Sequence, residues 1–151
     1  MRAVVQRVVS AAVTSRPDPE SLYVVVGEVG PGLCVLVGVT HGDGPDEADK
    51  LAGKLAGLRI FADDEGVMNR GALEVGAEFL VVSQFTLYGD TSKGRRPSWI
   101  EAARPEHAEP LVDRVVHQLR AQGATVATGR FRTDMQVSMV NDGPVTLVVE
   151  V

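Results

Sequence analysis

The sequence is poor in several things, and each shortage excludes a class of protein. It has one cysteine, Cys34, in 151 residues. An internal disulfide and any cysteine-cluster zinc site are therefore excluded. Basic residues do not dominate: 15 Lys and Arg stand against 20 Asp and Glu, a net charge of −5. A broad basic face that coats nucleic acid through its phosphates is excluded on that ground, although a small pocket for one nucleotide end is not. Long apolar runs are also missing. Leu33 to Val37 falls far short of the ~18–20 residues that span a bilayer. At the N-terminus, Arg2, Gln6 and Arg7 interrupt the valines before any small-residue cleavage site, so no signal peptide is expected. With few aromatics (5%), no Walker loop, no GxSxG elbow, no HExxH and no glycine fingerprint after the first strand, the common catalytic signatures are absent as well.

What remains is the composition of a globular chain, 44% apolar and 23% charged, of a length that suits one domain over residues 1–151. Valine-rich, partly alternating residues from Arg2 to Thr14 predict a first strand. The segment Ser15 to Ser21, with Pro17 and Pro19, is turn chemistry, and Leu22 to Val29 returns as a second strand. Gly30-Pro31-Gly32 turns into an apolar strand, Leu33 to Val39, whose continuity predicts cover on both faces. Acidic Asp46 and Glu47 then open a helix with Leu51, Leu55 and Leu58 on one stripe; Leu58 to Phe61 leaves it toward another extended piece, and Asp63 to Gly66 is a polar turn. Phe79 to Gln84 reads as a short buried strand. Thr86 to Ala102 has no period, which marks a candidate functional loop. Pro105 to Gly123 holds a second helix with the stripe Leu111, Val115 and Leu119. Strands are expected at Thr125 to Thr128 and Met135 to Val140, with Asn141 to Pro144 turning into a last strand, Val145 to Val151. Strands outnumber helices and the helices come singly, so the fold class is α+β, a sandwich with two helices on one face.

Three segments can carry chemistry, and each has two readings. Ser83, Gln84 and Thr86 put hydroxyl and amide groups at the end of a buried strand, either to hold a substrate carbonyl or hydroxyl, or as a half-buried edge strand. Thr86 as a nucleophile would need a base, and none is evident nearby. Asn141-Asp142-Gly143-Pro144-Val145-Thr146 is either a hairpin turn or a rigid cis Gly-Pro unit that presents parallel carbonyls. Lys93-Gly94-Arg95-Arg96-Pro97 is either a solvated loop or a phosphate contact. The scattered His41, His107 and His117 suggest no metal site, and Cys34 in an apolar strand reads as an inert core residue.

Six segments in order resemble the bacterial D-aminoacyl-tRNA deacylase family. They are Met1 to Val8, Gly30 to Leu33, Leu58 to Phe61, Val81 to Leu87, Lys93 to Ser98 and Asn141 to Thr146. The resemblance implies a strand-rich ββα sandwich, homodimeric, in the cytoplasm, with no cofactor and no metal. It implies hydrolysis of the ester between a D-amino acid and the terminal adenosine of tRNA, and of glycine mischarged onto tRNA for alanine. On this likeness Ser83, Gln84, Phe85 and Thr86 line the catalytic pocket. Gly143 and Pro144 enter from the partner subunit to reject L-amino acids, supported by Arg7, Asn141 and Thr146. Phe131 and Met135 form part of the terminal-adenosine pocket, and Lys93, Arg95 and Arg96 are phosphate contacts. The favoured family mechanism lets the RNA's own 2′-hydroxyl help activate water. Two departures stand out. Arg132 and Thr133 replace small residues of the family pattern, which leaves open a clash, an outward swing or an added phosphate contact. The hairpin Arg16 to Tyr23 is longer than usual and is expected to alter only a loop. Two other readings are a catalytically silent module that binds the tRNA 3′ end, and an editing deacylase with relaxed chirality.

Overall fold

A computed structural model describes residues 1–151. Its strands are β1 Arg2–Arg16, β2 Val24–Val29, β3 Gly32–Gly38, β4 Phe61–Ala62, β5 Met68–Arg70, β6 Glu78–Ser83, β7 Val126–Thr128 and β8 Asp134–Glu150. Two helices, α1 Pro45–Gly57 and α2 Pro105–Ala121, interrupt them, with a short 3-10 turn at Phe85–Tyr88. The expected α+β class with two main helices is what forms.

The long β1 organises the sheet. One of its edges pairs with β8 from Arg2 to Arg16. Its other edge is shared, Arg2 to Val8 with β3 and Ala11 to Ser15 with β2, all antiparallel. From β3 the sheet continues in parallel through β6 to β7. It then curls until β2 meets β7. At Gly27 a Cβ would stand 2.6 Å from the Thr128 carbonyl oxygen, so the near-closure needs a residue without a side chain there.

Each face of the curled sheet has its own core. Leu33, Val35 and Val37 of β3, with Phe79 and Val81 of β6, pack against Leu51 and Leu55 of α1 and Val115 and Leu119 of α2. The intervening Cys34, Leu80 and Val82 point into the second core with Val8, Val13 and Val29. Alternation along each strand divides the side chains between the cores, which accounts for the near-continuous apolar character of β3. In β1 the parity changes. Ala3 and Val5 face the helices, whereas Ala11 and Val13 face the other core. The cause is a bulge: from Val8 to Ser10 β1 advances two residues while β8 advances one, Asn141 to Val140.

Three expectations need correction. Asn141 to Thr146 is not a hairpin turn between two strands; β8 runs unbroken from Asp134 to Glu150. The chain between Gln6 and Val8 advances two residues while β8 advances five, Thr146 to Asn141, so the surplus bulges out and pairing resumes. A long antiparallel partner was available on both sides of the Gly-Pro, and it overrode the local turn signal. Leu58 lies at the C-cap of α1 in extended conformation (φ −61°, ψ 119°), not in the helix, yet still packs on the core. β6 lies between β3 and β7, so the edge-strand reading of Ser83 to Leu87 fails: the strand ends at Ser83. The structure also adds the β4–β5 hairpin around the polar turn Asp63 to Gly66. No helix is long and apolar enough to cross a membrane.

Both helices begin with proline at the first turn. In α1 the Glu47 carboxylate reaches back to the Gly44 N–H at 2.9 Å, which holds its carboxyl below the usual range. The helices are clipped together by Arg114, whose Nε and Nη2 donate to the two carboxylate oxygens of Asp49, both at 2.7 Å. This fork holds the Asp49 carboxyl below its ordinary value. A carboxylate depressed in the folded state stabilises above its unfolded pKa, about 3.9, and loses that contribution as pH falls through its folded value. Asp49→Asn should therefore melt below the wild type at about pH 7, and the two melting curves should converge only as the pH falls below the folded-state value of Asp49.

A cleft at the end of the parallel strands

The principal cavity, of about 850 Å³, opens where β6 ends. One wall is Val82, Ser83, Gln84 and Phe85, and another is Phe131 to Met135 with Val137. Trp99 and the N-terminal end of α2 supply more of the lining. Gln84 makes the last rung of the sheet, donating its N–H to the Val37 carbonyl at 2.7 Å. The chain then winds into the 3-10 turn, so that a strand buried on both faces delivers exposed Phe85 and Thr86. Gln84 Nε2 donates to the Thr86 hydroxyl. No carboxylate, amine or imidazole joins that contact, so Thr86 lacks a base, as its sequence neighbourhood predicts. Phe85 is 53% exposed and meets Trp99 edge-on, ring centroids 5.3 Å apart at 70°.

The opposite wall depends on β1. The Thr133 hydroxyl donates to the Arg130 carbonyl at 2.9 Å and lies 2.6 Å from Oγ of Ser15, which is fully buried. Thr133 thus gives a buried hydroxyl its partner instead of narrowing the cleft. Arg132 beside it has φ +58°, the left-handed region, and its side chain is exposed. A glycine would hold that conformation without strain, which explains physically why a small residue suits the position. The longer hairpin is not merely a loop: Pro17, Asp18 and Pro19 line the cleft. Arg16 places it there, donating to Asp134 at 2.9 and 3.1 Å and to the Pro19 carbonyl at 3.0 Å. Sequence reasoning missed that hairpin and Trp99. The pairing of Arg16 with Asp134 spans most of the chain and leaves no local signal.

Gly143 and Pro144 are exposed and do not line the chain's own cleft. They sit on the bulge of β8, their peptide bond cis. Arg7 packs beneath. Its Nε is 2.8 Å from Asp142 Oδ2, an ion pair in which the N–H is not aimed at the oxygen, and its Nη1 donates to the Ile60 carbonyl. Gly143 has φ +114°, and a Cβ there would stand 3.0 Å from Arg7 Nη2 and 2.8 Å from Val145 Cγ2. The bulge leaves Arg7 without a partner on β8, though it still pairs with Leu33 of β3, and Asn141 takes over its carbonyl. The Asn141 amide donates to the Arg7 carbonyl at 2.9 Å and to the Val145 carbonyl at 3.1 Å, stitching the bulge across its mouth. Gln6 reaches the Thr146 hydroxyl at 3.3 Å on the far side.

The remaining candidates are apart from the cleft wall. Lys93, Arg95 and Arg96 are exposed in a loop closed by the Asp90–Ser98 bridge, next to Trp99. His107 donates to the Asp43 carbonyl at 2.8 Å and His41 to the Ile100 carbonyl at 2.6 Å, so both hold loops. Cys34 is 1% exposed, and burial pushes its thiol up to about 11, the behaviour of an inert core cysteine.

The architecture defines a class: a strand-rich α+β protein with an open, largely apolar cleft, whose polar lining at the strand end is amide and hydroxyl. Comparison with known proteins narrows it. The family described as D-Tyr-tRNA(Tyr) deacylase matches residues 4–150. The D-aminoacyl-tRNA deacylase of Streptomyces coelicolor is 56% identical over 151 residues, covering 100% of both chains. That of Symbiobacterium thermophilum is 55% identical over 150 residues, 99% of this chain and 95% of that protein. Among solved structures, the c-Myc DNA Unwinding Element Binding Protein superposes with a TM-score of 0.89 at 35% identity, over 100% of this chain and 99% of that one. A probable eukaryotic D-amino acid tRNA deacylase shares the fold at TM-score 0.78 and 18% identity, over 99% and 98%. The chain belongs to the D-Tyr-tRNA(Tyr) deacylase family.

Asn141→Ala should leave two carbonyls of the bulge without their donor. The expected loss is about 1–2 kcal/mol, read as a lower denaturation midpoint at unchanged m-value.

Proposed function

We propose that the chain, as one domain over residues 1–151, hydrolyses the ester that joins a D-amino acid to the terminal adenosine of tRNA. It works in the cytoplasm beside translation and also clears glycine mischarged onto tRNA for alanine. The observation that carries this reading, beside family membership, is the cleft itself. A neutral, hydrogen-bonding wall faces a wall bearing Phe131 and Met135, in a volume within the range of small-molecule sites. Phe131 and Met135 hold the adenine by stacking and dispersion. Ser83 and Gln84 hold the ester and the ribose through hydrogen bonds, while Thr86, which does not itself line the cleft, accepts from the Gln84 amide and positions it.

Water adds to the ester carbonyl carbon, and the resulting tetrahedral species expels the 3′-oxygen of the ribose, leaving a free amino acid and an intact tRNA. An aminoacyl ester is already activated, so positioning supplies much of the acceleration. The terminal 2′-hydroxyl is near enough to the ester to take part in activating water, and Thr86, without a base, has no need to attack. Positioned donors then stabilise the charge that develops on the carbonyl oxygen.

Chirality is enforced by a second copy of the chain. Gly143 and Pro144 project from the bulge, outside their own cleft and buttressed by Arg7, as a unit that completes a partner's cleft would. Exposed Val140 (56%) and Val148 (65%) flank it on β8, giving that strand an apolar surface for a dimer to bury. A rigid backbone wall excludes an L side chain and admits a D side chain or none, which is specificity by penalty.

The test is hydrolysis of matched D-tyrosyl-tRNA and L-tyrosyl-tRNA by the purified protein in the presence of chelator. Release from the D ester alone is expected; release from neither would overturn the reading in favour of a binding module. Thr86→Ala should cost less than about tenfold in rate, whereas loss of a true nucleophile costs several orders of magnitude. A bulky side chain at Gly143 should abolish turnover in both copies of the dimer, which sedimentation would report at twice the chain's mass.

A further inference from the structure

Three charged side chains line the cleft, Asp18, Asp134 and Arg132, and only one of them is free. Asp134 is spent on Arg16 at 2.9 and 3.1 Å. Asp18 folds back on its own turn, where Oδ1 accepts from the Glu20 and Ser21 N–H groups, both at 3.0 Å, and Oδ2 from the Ser21 hydroxyl at 2.8 Å. Arg132 takes part in none of the chain's ion pairs. The backbone around it is pinned on both sides. Phe131 packs on the main core, and Thr133 is tied to Arg130 and to buried Ser15. Arg132 is therefore held in its left-handed conformation by its neighbours, with its side chain on the cleft and open to solvent. An uncompensated guanidinium on a rigid turn, at the edge of a cleft otherwise neutral in effect, is built to receive an anion.

We propose that Arg132 binds the phosphate on the 5′ side of the terminal nucleoside, and so sets the affinity of the cleft for a nucleotide over a nucleoside. The proposal rests on the deacylase reading. An RNA end whose adenosine and aminoacyl group occupy the cleft carries its next phosphate toward the mouth, where Arg132 is exposed. The planar fork of arginine matches two phosphate oxygens, which a lysine point charge does not. The exposed loop of Lys93, Arg95 and Arg96 lies apart from the cleft wall but leads into Trp99, which lines it.

The probes are adenosine and adenosine 5′-monophosphate, titrated by calorimetry into the wild type, Arg132→Gly and Arg132→Lys. Inorganic phosphate alone serves as the arm for a simple anion site. Arg132→Gly suits the left-handed backbone, so its thermal melt should match or exceed that of the wild type. The wild type should bind the monophosphate about tenfold more tightly than adenosine. Arg132→Gly should erase that preference without weakening adenosine, and Arg132→Lys should keep part of it. On D-tyrosyl-tRNA, Arg132→Gly should raise KM more than it lowers kcat and reduce the salt slope by about 0.7. Equal affinity of the wild type for both probes, or a preference that survives Arg132→Gly, overturns the proposal. Equal losses for adenosine and monophosphate overturn it too, making Arg132 part of the nucleoside wall. Tight binding of free phosphate without added nucleoside dependence reduces it to an anion site and overturns the nucleotide assignment. Failure of the wild type to hydrolyse D-tyrosyl-tRNA, with the nucleotide preference intact, overturns the deacylase reading and leaves the phosphate contact standing.

Discussion

The antiparallel pairing of β1 with β8 is the interaction on which the rest depends. It joins the two ends of the chain along nearly the whole of both strands, from Arg2 opposite Glu150 to Arg16 opposite Asp134. The Gly143-Pro144 bulge interrupts its middle, and its far end carries the turn that walls the cleft. A ladder this long tolerates irregularity, because the rungs on either side hold the register. The surplus of β8 opposite Gln6 to Val8 projects the Gly-Pro unit, and the extra residue of β1 near Val9 moves its later side chains into the second core. Two adjacent irregularities of opposite sense in one ladder thus set the projection of the Gly-Pro unit and the parity of β1.

The second constraint is the curl of the sheet. With helices over one face and strands folded toward one another on the other, little of the central backbone meets water. The polar groups that reach the cleft do so because β6 runs past β7, whose pairing ends at Val81, and the chain then winds out of the sheet after Ser83. Its position inside the sheet makes the Gln84 to Thr86 segment a firm platform: the Gln84 N–H is anchored on Val37 while its side chain meets Thr86. Chemistry that relies on positioning needs such a platform more than it needs a strong base.

Electrostatics completes the arrangement by subtraction. The chain is acidic overall, yet the carboxylates that reach the cleft are occupied, Asp134 by Arg16 and Asp18 by its own turn. Arg16 also lies over the Tyr23 ring at 4.7 Å, which further holds the hairpin against the cleft. An acidic protein can offer an RNA end a neutral to positive cleft in this way, and its remaining negative surface limits adhesion to the rest of the nucleic acid.

Much of this was legible in the sequence. The alternation in β3 and β6, the leucine and valine stripes of α1 and α2, and their prolines and acidic first turns are local properties, so composition and period determined them. The ordered segments, above all Ser83 to Thr86 and Asn141 to Thr146, carried the family. Tertiary structure decided what local rules misassigned. Asn141-Asp142-Gly143-Pro144 has the chemistry of a turn, and only the continuous edge of β1 makes it a bulge. Asp18 and its prolines have the chemistry of a surface hairpin, and only Arg16 reaching Asp134 brings them to the cleft. Arg132 is an unremarkable arginine in the sequence until the backbone around it is seen to be left-handed, pinned and without a counter-ion. Sequence period reports which face a residue turns, because that is set by the next few peptide units. Which distant group it meets there is set by chain closure, and that is a property of the whole fold.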